Sequence, residues 1–124
     1  MICECKSINP NRPPRQYCVG KGGYLAEIQS EDEQNRVQAV LNSLYTYWIG
    51  LSDAVNEGHF VWQHSMTPLE WSDWLPGEPD PVNGGSEDCV GMHEEGGQWG
   101  WNDMPCNTNM RYLYPIRALC EAKV

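Results

Sequence analysis

The chain has 124 residues, which allows one domain, and 40% of them are hydrophobic, which indicates a packed globular protein rather than a disordered one. Its formal net charge of -9 argues against a nucleic-acid partner, because phosphates would be repelled. No apolar run approaches the roughly 18 residues that a membrane span needs. No apolar h-region follows Met1, so we expect neither membrane insertion nor a signal peptide.

Local patterns predict the first elements of the chain. Residues 2–8 are expected to form a short edge strand, and the prolines of the 10–14 segment then interrupt regular structure. Ser30 and Glu33 form an S-x-x-E capping box, a signal for the start of a helix. Apolar residues recur at helical spacing after it, at positions 37, 40, 41 and 44, and predict a helix over about 31–44.

The second half of the chain alternates between strand signals and loop signals. Residues 47–51 and 59–63 are rich in β-forming residues, and the 56–58 segment between them predicts a turn. The 64–97 segment is dominated by Pro, Gly, Ser and acids. We expect a long loop there, of a kind that is usually functional or disordered. Strand character returns at 98–102 and 112–121.

Acidic residues concentrate in one stretch of the chain. Between Val37 and Met110 there is no Lys or Arg, whereas eleven carboxylates occur there. A solvated acidic face and a bound hard cation both explain such a run. If a cation binds, oxygen-only ligands favour Ca²⁺.

Six Cys in so short a chain predict disulfides and an oxidising compartment, so we expect a mature, secreted domain. Cys18 and Cys120 could staple the two ends of the chain together. Cys89 and Cys106 could close a loop of intermediate length. Each such bridge contributes roughly 2–4 kcal/mol.

Cys3 and Cys5 are then left over. A bridge between residues two apart forces their Cα atoms close together and is strained. We expect one or both to form intersubunit bridges in a disulfide-linked homodimer, with a zinc site as the alternative for a Cys-x-Cys motif.

A series of short motifs runs along the chain in a specific order. The motifs are Cys18-x-x-x-Gly22-Gly23-x-Leu25-Ala26-x-Ile28, Trp48-Ile49-Gly50-Leu51-Ser52-Asp53, Glu57-Gly58-x-Phe60-x-Trp62, Trp74-x-x-Gly77-Glu78-Pro79-Asp80, Glu87-Asp88-Cys89-Val90, Trp101-Asn102-Asp103-x-Pro105-Cys106 and Cys120-Glu121. In order and spacing they resemble the C-type lectin-like domain over about residues 17–121. The chain departs from the family at its start, where Pro13 and Pro14 leave room for only a short first helix after a shortened first strand.

The resemblance implies a fold and a disulfide pattern. The fold is α+β, with two helices, small antiparallel sheets and a long loop that binds Ca²⁺, and residues 1–124 would form a single carbohydrate-recognition domain. The implied bridges are Cys18–Cys120 and Cys89–Cys106. Tryptophans at 48, 62, 74 and 101 are expected to pack in the core, whereas Trp71 or Trp99 could line the sugar site of the family.

The resemblance also implies a calcium site that binds sugar directly. Its ligands and sugar contacts would be Glu78, Asp80, Glu87, Asn102 and Asp103, with Pro79 in the cis form. A second, structural Ca²⁺ would use Asp53, Glu57 and Asp88, and share Glu87. The alternative is that Asp53 and Glu57 only cap the turn before Phe60.

The triplet Glu78-Pro79-Asp80 fits neither family pattern for sugar choice. In the family, domains with Glu-Pro-Asn generally bind the diols of mannose-type sugars and fucose, and domains with Gln-Pro-Asp bind galactose. Here both flanking side chains are acceptors when ionised, so one amide donor is missing. The aromatic residue that galactose binders usually carry after the triplet is also missing. We therefore expect mannose-type or fucose ligands, with galactose as the alternative.

Two other classes of function compete with a lectin. A protein-binding domain of the same fold would be expected to lose the Ca²⁺ ligands, yet all five positions carry oxygen ligands. An enzyme is not expected, because no Ser-His-Asp or Cys-His arrangement is evident and the metal would use the candidate acids.

Overall fold

The computed structural model describes residues 2–4, 18–19, 22–79, 89–104 and 116–122. Within these ranges the chain forms one full helix and eight strands. The elements in chain order are β1 (Ile2–Glu4), β2 (Gly23–Leu25), α1 (Glu31–Gln38), β3 (Thr46–Ser52), β4 (Val61–Trp62), β5 (Thr67–Pro68), β6 (Cys89–Glu95), β7 (Gln98–Met104) and β8 (Ile116–Ala122). The predicted α+β class is therefore confirmed. Of the short first helix, only Cys18 and Val19 are described, and both are helical.

Strand β8 joins the two ends of the chain. It pairs antiparallel with β1 and β2 and parallel with β3. Strand β3 also pairs antiparallel with β4 and β6, and β6 pairs antiparallel with β7. The strand predicted at the N-terminus is present over Ile2–Glu4, where Cys3 lies opposite Cys120. The rest of the predicted 2–8 strand lies outside the described residues.

Helix α1 begins where the capping box predicts. Ser30 is the N-cap, and its side-chain oxygen accepts a hydrogen bond from the Glu33 backbone N–H at 3.2 Å. Three acidic residues occupy the first turn of the helix, where they interact favourably with the positive end of its dipole. The start of this helix is therefore fixed by local sequence alone.

The predicted end of the helix near residue 44 is wrong, because α1 ends at Gln38. Beyond it, the Val40 N–H donates to the Val37 carbonyl at 3.1 Å, three residues back instead of four. The Asn42 side chain then holds a turn by accepting from the Leu44 N–H at 2.9 Å. Val40 and Leu44 are 69% and 64% exposed, so their helical spacing does not reflect a buried face.

Tryptophans dominate the core between the helix and the sheet. Trp62 and Trp101 are fully buried and meet edge to face, with ring centroids 5.6 Å apart. Trp74 packs on Trp101 in the same manner at 5.7 Å. Trp48 is buried in a second cluster with the Cys18–Cys120 pair. The packing role predicted for these four tryptophans is confirmed.

The prediction of an irregular loop over 64–97 is wrong for residues 67–68, which form β5, and for residues 89–95, which form β6. Glu95 pairs with Gln98, so Gly96 and Gly97 form a two-residue hairpin connection. Both glycines have positive φ, 61° and 86°, as the favoured hairpin turns require. The glycines and acids of residues 91–97 therefore belong to a hairpin rather than to an irregular loop.

Replacing Gly91 by Ala is expected to destabilise this hairpin. A Cβ at this position would overlap Cε of Met104 and lie 3.1 Å from Cγ2 of Thr46. Because the Met104 side chain can shift, we expect a loss of about 1–3 kcal/mol in the free energy of unfolding, measured by urea denaturation. Val55→Ala, at a residue that is 97% exposed, is the control and should change it by less than about 0.5 kcal/mol. Equal midpoints for the two variants would contradict the packing argument.

Candidate functional site

Two of the predicted calcium ligands lie on β7. Asn102 pairs with Gly91 and Asp103 pairs with Val90, so the continuous β6–β7 ladder fixes their backbone positions. The Asp103 side chain is only 3% exposed, and Asn102 is half-buried. A buried carboxylate costs free energy unless hydrogen bonds or a cation compensate for its desolvation.

The loop that carries Glu78 is attached to the same strand. The Trp101 N–H donates to the Asp73 carbonyl, and the Leu75 N–H donates to the Trp101 carbonyl, both at 2.9 Å. The Glu78 N–H then donates to the Leu75 carbonyl at 2.9 Å, which closes a turn. The Glu78–Pro79 peptide bond is cis, as predicted. The structure therefore brings the loop of Glu78 beside the strand of Asn102.

Asp53 lies at the same end of the sheet. It directly follows β3, whose last residue, Ser52, pairs with Cys89, the first residue of β6. Asp53 is 3% exposed, and its Oδ2 accepts a hydrogen bond from the Gly58 N–H at 3.0 Å. This bond supports the turn-capping role. The other oxygen, Oδ1, is buried and has no hydrogen-bond partner among the described residues.

Of the remaining predicted ligands, only Glu57 lies within the described residues. Glu57 is exposed in the turn after Asp53. Asp80, Glu87 and Asp88 lie outside the described residues. Within the described part of the chain, no group of three or more His, Cys, Asp or Glu side chains is arranged to hold a metal ion. The fit to Ca²⁺ therefore depends on the all-oxygen donor set and on the buried, unsatisfied Oδ1 of Asp53.

One predicted disulfide is confirmed. Cys18 and Cys120 are bonded, with Cα atoms 5.4 Å apart across a sequence separation of 102 residues. Cys89 is also disulfide-bonded. Its predicted partner, Cys106, lies outside the described residues.

Comparison with known proteins establishes the family. The family model for the lectin C-type domain matches residues 13–113. The chain belongs to the C-type lectin domain family. This C-type lectin domain is 36% identical over 118 residues to Salivary C-type lectin 2 of Aedes albopictus, covering 87% of this chain and 74% of that protein. As members of the family are binding proteins, the domain is not an enzyme.

Solved structures of C-type lectin domains have the same fold. The mouse dendritic cell inhibitory receptor 2 domain, in complex with N-glycan, has a TM-score of 0.71 at 30% identity, covering 86% of this chain and 77% of that one. The cow CD23 domain, in the presence of GlcNAc2Man3 oligosaccharide, has a TM-score of 0.69 at 35% identity, covering 86% and 74%. A calcium-independent type II antifreeze protein is also similar, with a TM-score of 0.64 at 28% identity, covering 86% and 71%. The fold alone therefore does not require calcium.

Sequence reasoning missed a buried polar contact that supports the strand of the candidate site. The Gln34 side chain is 2% exposed, and its Oε1 accepts a hydrogen bond from the Trp101 indole N–H at 3.0 Å. Its amide also contacts the Met92 sulfur at 3.1 Å. Gln34 therefore ties α1 to the residue just before Asn102. Its place three residues before Val37, on the buried side of the helix, is a signal that could have identified it.

No helix in the described part of the chain is both long and apolar enough to cross a membrane.

Proposed function

We propose that this domain binds glycans through Ca²⁺, with mannose-type or fucose hydroxyl pairs as ligands. The observation that carries the proposal is the attachment of the Glu78 loop to β7 beside Asn102 and Asp103. These are side chains of the oxygen-only type that Ca²⁺ takes. When bound, the ion would offer coordination positions to two adjacent sugar hydroxyls.

The charge of this region supports a bound cation. The 37–110 stretch contains no Lys or Arg to neutralise its carboxylates. Asp53 and Asp103 are both buried at the end of the sheet where β3 and β6 meet. Glu87 and Asp88 directly precede Cys89 in the sequence, so the chain enters β6 at this same end. We propose that Asp53, Glu57, Glu87 and Asp88 hold a second, structural ion there.

The side chains around the sugar site would set its hydrogen bonding. Asn102 supplies an amide donor to one sugar hydroxyl, whereas the ionised carboxylates of Glu78 and Asp80 act only as acceptors. The same side chains would contact both the ion and the sugar, so loss of the ion would remove the sugar site as well. The cow CD23 structure, obtained with a mannose-containing oligosaccharide, is consistent with this ligand class.

A glycan array run in calcium and in EDTA tests the proposal. We expect mannose- and fucose-terminated glycans to bind in calcium and to be lost in EDTA. Binding of galactosides alone would reverse the sugar assignment. If isothermal titration with CaCl₂ showed no binding, the domain would instead be interpreted as a protein-binding domain of the same fold.

Single substitutions in the triplet are expected to alter sugar choice. Asp80→Asn restores Glu-Pro-Asn and the missing amide donor, so affinity for methyl mannoside should rise about fivefold, the value of one hydrogen bond. Glu78→Gln creates Gln-Pro-Asp and should shift the preference toward galactose. Competition assays with methyl mannoside and methyl galactoside measure both effects. The exposed Glu70→Gln is the control for loss of one charge. If both triplet variants kept the parent preference, the triplet would not contact sugar.

Secretion and covalent dimerisation complete the proposal. The disulfides favour an oxidising compartment, and a similar protein is a salivary lectin. Cys3 lies opposite Cys120 in the β1–β8 ladder, but Cys120 is already joined to Cys18. Cys3 or Cys5 is therefore proposed to bridge two copies, and a dimer would raise avidity for glycan surfaces. Non-reducing electrophoresis of the full chain tests this, and a Cys3→Ser, Cys5→Ser double variant should migrate as a monomer.

A further inference from the structure

A cleft lies between α1 and the β6–β7 turn, at the opposite end of the hairpin from Asp103. Its volume is ≈ 390 Å³, within the usual range for ligand pockets. Its walls come from α1, from residues 71–73 and from residues 97–99. Along β7, Trp99 is four residues from Asp103, which corresponds to about 13 Å. The cleft therefore does not share its lining with the proposed calcium site.

Two half-buried tryptophans line this cleft. Trp71 packs its ring edge to face against Trp101, with centroids 5.7 Å apart, and Trp99 packs against Tyr47 at 6.3 Å. Each ring is therefore held by the core, while part of its surface remains accessible. Large aromatic surfaces of this kind stack on the C–H face of a sugar ring without needing a charge.

Amide groups also line the cleft, on α1 and beside Trp99 on β7. Asn35 and Gln98 line the cleft and are exposed. Gln38 is held in place because its Oε1 accepts from the Gln34 amide at 3.2 Å, and Gln34 is itself fixed by the Trp101 indole. Amides carry both donors and acceptors, which matches the hydroxyl groups of a saccharide. The position of the Gln38 amide is therefore set before any ligand arrives.

The charges of the cleft limit its ligands. Glu31 and Asp73 line it, and no Lys or Arg is among the described lining residues. Burial, and to a smaller extent the charge of Glu31, raises the pKa of the Asp73 carboxyl. Sulfated and sialylated glycans would be repelled by these carboxyl groups. A neutral saccharide remains compatible, as does a small organic cation.

We propose that this cleft binds a neutral saccharide without calcium, by stacking on Trp71 or Trp99 and hydrogen bonding to Asn35, Gln38 and Gln98. The hydrogen-bonding groups are mostly uncharged amides, which favours a saccharide over an organic cation. This proposal does not rest on the calcium site, because the two share no residue.

The test uses the full chain in EDTA. Mannobiose, lactose and chitobiose are titrated while NMR follows the indole N–H signals of Trp71 and Trp99. At least one of these neutral sugars should shift these signals in a saturable manner. Asn35→Arg places a bulky side chain in the cleft from an exposed helix position and should weaken binding at least about tenfold. Ala39→Arg, at the exposed C-cap of the same helix but outside the lining, is the matched control and should bind like the parent.

The outcomes separate this proposal from the calcium-dependent function. Asp103→Asn should leave sugar binding in EDTA unchanged. Sugar-induced shifts that occur only in calcium and vanish in Asp103→Asn would overturn the cleft proposal while supporting the calcium site. Shifts caused by tetramethylammonium chloride but by none of the sugars would overturn it in favour of a cation site. Equal binding by Asn35→Arg and Ala39→Arg would place the sugar elsewhere and also overturn it.

Discussion

Calcium affinity is expected to fall at least about tenfold when Asp103 is replaced by Asn, and glycan binding should fall with it. The substitution keeps the shape of a side chain that is 3% exposed, removes its charge and replaces one acceptor oxygen by an amide donor. Calcium affinity depends strongly on the number of charged oxygen ligands. Isothermal titration with CaCl₂, followed by the glycan array, measures both losses.

The control for this experiment is Asp32→Asn, which makes the same chemical change at an exposed position in the first turn of α1. This control should lower the free energy of unfolding by about a few tenths of a kcal/mol, because it removes a negative charge from the positive end of the helix dipole. It should leave calcium binding unchanged. Calcium affinity of both proteins should decrease on acidification, because carboxylates bind the ion only when deprotonated. If Asp103→Asn binds calcium like the control, Asp103 is a structural residue of the sheet and the proposed ligand set is wrong.

Local signals in the sequence were sufficient for some elements and not for others. The start of α1 depends on the contact between Ser30 and the Glu33 N–H, which lie within one turn, so the capping box predicts it directly. The end of the helix depends on competition between the helix and the Asn42 turn, which apolar spacing does not reveal. Strand β6 was missed because its glycine and acidic residues count as loop signals in the sequence, whereas Gly91 packs against Met104, 13 residues away, where a Cβ would not fit.

The candidate site shows the same division. The motifs around Glu78, Asn102 and Asp103 are specific enough to predict that these residues act together. The burial of Asp53, which leaves one of its oxygens without a hydrogen-bond partner among the described residues, could not be predicted in this way. It depends on the pairing between the end of β3 and the start of β6. Likewise, the cleft beside Trp71 and Trp99 is formed by three segments distant in sequence, so no local pattern indicates it.

Removal of the Cys18–Cys120 disulfide is expected to cause a large loss of stability. The bridge closes a loop across 102 residues, so it strongly restricts the unfolded chain, and such bridges are worth about 2–5 kcal/mol. A domain of this size is typically stable by only about 5–15 kcal/mol. The Cys18→Ala, Cys120→Ala double variant should therefore unfold at a much lower urea concentration.

The position of this bridge also connects it to the proposed calcium site. Cys120 lies in β8, β8 pairs with β3, and β3 pairs with the β6 strand that holds Asp103 through the hairpin. Because the folded state alone binds calcium in this scheme, added CaCl₂ should restore part of the lost stability. Val19→Ala, at an exposed neighbour of Cys18, is the control and should change the free energy of unfolding by less than about 0.5 kcal/mol. A double variant with the parent urea midpoint would mean that sheet pairing alone, without the covalent link, holds the two ends of the chain together.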